Sequence, residues 1–528
     1  MTSEQKSTAQ LVGWRLMELM DHRTPWHRGL WQVGTIDTLH EVLEYAQGAA
    51  DGPASPQGLE YVCDRALVRL SSDEGLSPAL VALAEPLLRA KGHKKDGLIN
   101  PRHADALREL IRRGESTYLS LWAERVAAQG VERQDVEKVA RAAGAHLLDQ
   151  GFSADHIHGW LRSSLSGKGT GLPDLLAKAA SMCAEEPRHF EAVVPFQRLP
   201  PEVIRVAHDR FLDREQLSKY CSATGVDVPK FRGPGALIFG VTARDPQGAV
   251  EAVADTVRRL ASRAAVGLSK AEVATSGEVL VSPGKRNWRP LTSWRKELMV
   301  PSLVRRSLLL PESSEATALD DAFELLAAVE TSTSWASVAA SWAAVEGLLA
   351  RPGESGVSAA DALADIVACS FPRAELTGLM ESLSHMDVAI SAEIRSAATQ
   401  AERIAITLAG LRANDLPPME HPADEAAVVR MQLMANDPLV VLDRVRNYFS
   451  DAFRRLYNQR NLVMHRGSST SRLMPATLRT SPPLVAAGVD RLVNAEVNTP
   501  QVSALELATR AAASLQLAQA DDLGAMLD

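Results

Sequence analysis

DRVRNYFSDAFRRLYNQRNLVMHRGSS, residues 443–469, places Val445, Phe449, Ala452, Leu456 and Val463 at intervals of three, four and seven, the spacing of one core-facing stripe on an α-helix. The arginines and the histidine of the segment fall off that stripe. Gly467 suits a C-cap, which puts His465 in the last turn, where the helix dipole favours a protonated imidazole and helps it donate a proton. Arg460 and His465 are separated by Asn461, Leu462, Val463 and Met464. At about 100° per residue they are not aligned on an ideal helix, and loosening of the helix end would bring them together. The bland alternative is a solvated helix end whose arginine and histidine only complement the dipole.

The pattern R-N-x-x-x-H made by Arg460, Asn461 and His465, preceded by Leu456 and Tyr457 and followed by Gly467, resembles the R-x4-6-H signature of HEPN domains. The second motif position in that family is usually polar, as Asn461 is. Upstream, SWASVAASWAAVEGLLA, residues 334–350, resembles the W-x-x-x-E-x-L face of the first helix in HEPN relatives, with Glu346 at the acidic position. The plain alternative for Glu346 is an ordinary ion-pair residue.

The resemblance runs from about residue 315 to the C-terminus. It implies RNA cleavage without a metal or other cofactor, in which the ribose 2′-hydroxyl attacks the adjacent phosphate and the 5′-oxygen leaves. An imidazole transfers protons near neutral pH, and a guanidinium stays charged and grips phosphate in a fork. His465 and Arg460 would take these roles, Asn461 would orient a partner or a phosphate oxygen, and Glu346 and Tyr457 would support them. The family pairs two protomers so that both motif helices face one cleft, which implies a homodimer. Arg444, Arg446, Arg454, Arg455 and Arg466 against Asp443 and Asp451 suggest a local positive field, with Arg454, Arg455 and Arg466 on the RNA backbone. The usual company of HEPN domains implies a bacterial antiphage or toxin effector, answering to a phage trigger or regulatory partner. The competing readings are a non-catalytic RNA- or protein-binding module, and the toxin half of a toxin–antitoxin pair. An active toxin should resist cloning unless His465 is altered.

Outward from this segment, helical spacing returns throughout residues 315–528, with candidate helices at 318–351, 358–385, 387–412, 424–466 and 501–520 and a proline-rich loop at 412–425. Residues 1–190 read as a second all-α region of unassigned role. In AVVPFQRLPPE, Pro195, Pro200 and Pro201 break the helical pattern and mark a boundary. Beyond it GALIFGVTA (235–243) and EVLVSP (278–283) read as strands around an amphipathic helix that starts near Pro246. The expectation is a mainly α protein: a helical region over 1–190, a small α+β unit over 191–312 and a HEPN-like bundle over 315–528.

At 528 residues, with roughly 100–200 per domain, about three domains are expected. The 46% hydrophobic and 23% charged content excludes a largely disordered chain. A net charge of −8 argues against indiscriminate coating of nucleic acid, so RNA contact must be local. One candidate is GKRNWRPLTSWRKELMVPSLVRR (284–306), whose seven basic residues, among them Lys285, Arg286 and Arg289, are interleaved with Trp288 and Trp294. The same stretch also suits a linker docked on the bundle by its tryptophans. SGKGTG fails the phosphate-loop pattern, because Arg162 stands where the first glycine belongs and Gly169 follows Lys168. His156 and His158 lack acidic or thiol companions for a metal. Four scattered cysteines suggest a reducing cytoplasm, and neither a secretory leader nor a membrane span is expected.

Overall fold

The computed structural model describes residues 8–52, 54–89, 98, 100–166, 171–269, 271–284, 287–292, 298–310, 316–351, 353–466, 471–499 and 502–526. The protein is mainly α, with a small central α+β unit. Among the described residues eight α-helices come first: α1 (Thr8–Met20), α2 (Thr35–Asp51), α3 (Pro56–Ser72), α4 (Pro78–Arg89), α5 (Pro101–Gln129), α6 (Val136–Asp149), α7 (Ala154–Leu165) and α8 (Leu172–Ala184). They close around one apolar cluster that includes Leu16, Leu39, Leu107, Trp122 and Leu176.

The central unit contains β1 (Arg188–Arg198), α9 (Pro201–Val206), β2 (Phe211–Asp213), α10 (Arg214–Thr224), β3 (Gly235–Ala243), α11 (Pro246–Gly267), β4 (Ala274–Thr275), β5 (Glu278–Ser282), β6 (Arg289–Pro290) and α12 (Pro301–Arg305). Its antiparallel sheet runs β2-β3-β1-β5-β6, with β4 also on β1. Strand alternation sorts β1 between two layers. Phe190, Ala192, Val194 and Phe196 pack with Val250 and Val253 of α11, whereas Val193 packs with Leu217 and Cys221 of α10. The proline-rich boundary segment is therefore the central strand. Pro195 is tolerated because it sits between the rungs to β5, which end at Val193, and those to β4, which begin at Phe196, while its carbonyl accepts from Ser276 N at 2.8 Å.

The third region comprises α13 (Ala318–Thr331), α14 (Ser334–Leu349), α15 (Gly356–His385), α16 (Ala389–Ser396), α17 (Gln400–Arg412), α18 (Pro422–Asn436), α19 (Pro438–Arg466), α20 (Met474–Asn498) and α21 (Ala504–Leu517). Three of the expected helices are split. The break before α17 carries a capping box, in which Thr399 and Glu402 satisfy each other's backbone N–H groups. α20 falls where no helix was expected. Pro482 and Pro483 lie inside it, yet residues 479–489 are buried throughout, and tertiary packing overrides the local penalty of about 3 kcal/mol per interior proline.

The regions interlock. The turn between α1 and α2 inserts Trp31 into the C-terminal core, edge-on to Phe371 and Phe449 at 5.3 and 5.0 Å. Arg28 in the same turn donates to Glu375 at 2.9 Å and to Asp424 at 2.7 Å. Asp245, fully buried, caps α11 through Gln247 N and Gly248 N and also accepts from Ser153 N and Oγ, joining the start of α7 to the start of α11. Cys63, Cys183, Cys221 and Cys369 are free. Among the described residues no helix is long and apolar enough to cross a membrane.

Candidate active site

Helix α19 carries the motif. Leu442, Val445, Phe449, Ala452, Phe453 and Leu456 are buried against the C-terminal core, which makes the expected stripe an anchored face. Near the far end of the helix, Arg460 is half-buried. Its Nη2 donates to Glu346 Oε2 at 3.3 Å and its Nη1 to Asn461 Oδ1 at 3.0 Å. Glu346 comes from α14, 114 positions earlier, and α14 packs directly on α19. Tyr457, one turn before Asn461, tilts against Trp342 at 4.9 Å and lies over Gly356, where an added Cβ would fall 2.5 Å from the ring. The structure thus brings Glu346, Tyr457, Arg460 and Asn461 to one helix end. The backbone of His465 lies in the last turn of α19; the side chains of His465 and Arg466, and Gly467 with them, lie outside the described residues.

The polar face of α19 is not open to solvent. Ser450, Asp451, Arg455, Asn458 and Gln459 are buried, and Asp451, Arg455 and Gln459 bond to α2 and α3 of the N-terminal region. Arg455 is gripped by Glu41 of α2 through two 3.0 Å hydrogen bonds, and so cannot be the RNA-binding residue expected of it. Arg454 pairs with Asp361 through Nε and Nη2 and lies over the Tyr61 ring at 3.9 Å. Arg446 pairs with Asp365 at 2.6 Å. These carboxylates largely cancel the local positive field expected along α19, although Arg444 remains exposed. Asp451 accepts from Tyr61 at 2.7 Å, Arg65 at 2.9 Å and Arg69 at 3.3 Å. Burial opposes its ionisation, but Arg69 and Arg65 hold its carboxyl below the usual carboxylate range.

The chain that follows the motif is tied down by the same helix α2. Glu44 accepts from Gln459 at 3.3 Å, from Ser471 Oγ at 2.7 Å and from Arg472 N at 2.8 Å. Asp37, His40 and Glu115 each bring one potential ligand atom within 4.8 Å of the others, and the Arg472 guanidinium lies against Glu115 and 3.3 Å from Asp37. Burial, with Asp149 beside it, pushes Asp37 up to about 8. Glu115 is half-buried, which opposes its ionisation, yet His40 and Arg472 hold it down at about 2. Asp37, Glu41 and Glu44 occupy positions i, i+4 and i+7 of α2, an acidic stripe that the sequence displays.

The remaining candidates lie elsewhere. Arg289 sits half-buried in β6, paired across to Val279, and Trp288 Nε1 donates to the Asp227 carbonyl at 2.8 Å. Trp288 therefore docks on the α+β unit, while Leu298 and Val300 of the same stretch pack on the C-terminal core. Lys285, Arg286 and Trp294 lie outside the described residues, as do residues 167–170 of SGKGTG. His156 stacks on Phe152 at 5.9 Å. No family model, curated protein or solved structure matches this chain.

Proposed function

We propose that the protein is a HEPN-type endoribonuclease that works without a metal, acts as a homodimer, and carries its site at the C-terminal end of α19. The observation that supports this reading most is the Glu346–Arg460–Asn461 cluster, assembled from two helices far apart in sequence at the position of the R-N-x-x-x-H resemblance. Glu346 fixes the direction of the guanidinium. When a phosphate arrives, the 3.3 Å contact is long enough to yield to a charge-assisted fork on phosphate oxygens. Arg460 then balances the charge that builds on the phosphate. A histidine takes the 2′-hydroxyl proton as the ribose oxygen attacks, the P–O5′ bond breaks, and the departing 5′-oxygen receives a proton; the products are a 2′,3′-cyclic phosphate and a 5′-hydroxyl. Asn461 orients Arg460. A second protomer supplies the facing helix end, so that one His465 accepts the proton while the other donates.

The N-terminal region acts in this reading as a restraint, through the contacts of Glu41 and Glu44 with α19 and with the chain just after the motif. That arrangement suits an RNA cutter released by a trigger, in an antiphage or toxin setting. End-group analysis of products from end-labelled RNA tests the chemistry. Cyclic phosphate and 5′-hydroxyl termini are expected, and 3′-hydroxyl with 5′-phosphate termini would refute the mechanism.

A further inference from the structure

A cavity of about 460 Å³ lies between α2, α3 and α19, within the range of about 300–1,000 Å³ that small-molecule sites occupy. Asn461 forms part of its wall, so it adjoins the candidate active site, and the N-terminal helices α2 and α3 supply the opposite wall. Four guanidiniums border it: Arg65, Arg69, Arg454 and Arg455. Three carboxylates answer them among the described residues, Glu41, Asp451 and, just outside, Asp361. The balance is one positive charge in excess.

The donors are also incompletely used. Arg65 gives Nε and Nη2 to Asp451, and Arg454 gives Nε and Nη2 to Asp361, so each Nη1 lies outside its ion pair. Arg455, with a side chain only 1% exposed, has its Nη1 buried with no partner among the described residues. Around these donors stand three aromatic rings, Tyr45, Tyr61 and Tyr457. Rings of this kind hold planar heterocycles by stacking, as the Arg454 guanidinium over Tyr61 already shows for one planar group.

We propose that this cavity binds a single nucleotide unit, its phosphate on the Nη1 groups of Arg65 and Arg454 and its base among Tyr45, Tyr61 and Tyr457. The unit has two possible sources, a free nucleotide or one unstacked residue of an RNA lying on the motif helix. The second source rests on the nuclease reading; binding itself does not.

Calorimetric titration of the full chain tests this with adenosine, guanosine, cytidine and uridine monophosphates, inorganic phosphate, and a short 2′-O-methyl oligoribonucleotide that cannot be cleaved. Arg65→Gln removes one phosphate donor. Gln57→Trp fills the mouth of the cavity from an exposed position and leaves the four arginines in place. At least one mononucleotide should bind, ten-fold or more tighter than phosphate, and each variant should weaken it ten-fold or more, Gln57→Trp with its thermal melt unchanged. Gln57→Trp decides the matter if Arg65→Gln disturbs folding. An oligonucleotide that displaces the mononucleotide identifies RNA as the source, and independent binding identifies the free nucleotide. The proposal is overturned if nothing binds, if phosphate binds as well as the nucleotides, or if Gln57→Trp leaves binding intact. Binding retained by a cleavage-dead His465→Ala variant would separate this site from the fate of the nuclease reading.

Discussion

Arg460 is held by two oxygens of different character, a carboxylate from another helix and the amide of its own neighbour. The Glu346 pair is partly exposed, 29% on the arginine and 42% on the glutamate, and its contribution to stability is small, below about 1 kcal/mol. In the proposed nuclease its role is directional. Glu346→Gln should therefore leave the thermal melt within about 2 °C of wild type while lowering RNA cleavage about ten-fold, the result of a poorly aimed guanidinium. Arg455 makes the opposite case. It is buried against Glu41, and Arg455→Ala strands that carboxylate, so denaturant unfolding should report a loss of about 3–5 kcal/mol.

Helix α19 buries two faces for different reasons, an apolar stripe against the C-terminal core and a polar face against α2 and α3. The first was legible, because spacing alone identifies Val445, Phe449, Ala452 and Leu456 as inward. The second was not, since Asp451 and Arg455 have the composition of a solvated face and only the presence of Arg65, Arg69 and Glu41 opposite them makes burial tolerable. The same limit hid β1 and α20: Pro195, Pro482 and Pro483 are breakers by local chemistry, and neighbouring elements overrule them. The motif itself was readable at Glu346, Arg460 and Asn461, which meet, while the covering role of α2 was not. At the contact of α7 and α11, burial and then Asp245, Asp155 and Asp255 push the Glu251 carboxyl up to about 8. The folded state thus holds this proton more tightly than the unfolded chain, so the contribution is full below about pH 4.5 and is lost as pH rises through 8. His27 and His146, pulled down to about 4 by burial, act in the other direction, their stabilisation present above 6.5 and lost as pH falls toward 4. Thermal melts from pH 4.5 to 8.5 should show Glu251→Gln matching wild type at the acid end and exceeding it at the alkaline end.

The three regions form one interlocked molecule in which the first seals the helix that carries the candidate chemistry of the last. Trp31 anchors that seal in the C-terminal core, Arg28 ties it to Glu375 and Asp424, and Glu44 fastens the chain after the motif. A restraint built this way weakens when one fastening is removed: Glu44→Ala should raise the RNA cleavage rate several-fold over wild type at equal concentration, and an unchanged or lower rate would argue that α2 only supports the fold. The central claim is tested most directly by incubating wild type, Arg460→Ala and His465→Ala with total RNA and a chelator, each also in the Glu44→Ala background. The account predicts chelator-resistant cleavage that falls by at least about 100-fold in both variants. Cleavage in the two variants as strong as in wild type, or none from a folded dimer even with Glu44 removed, would contradict it.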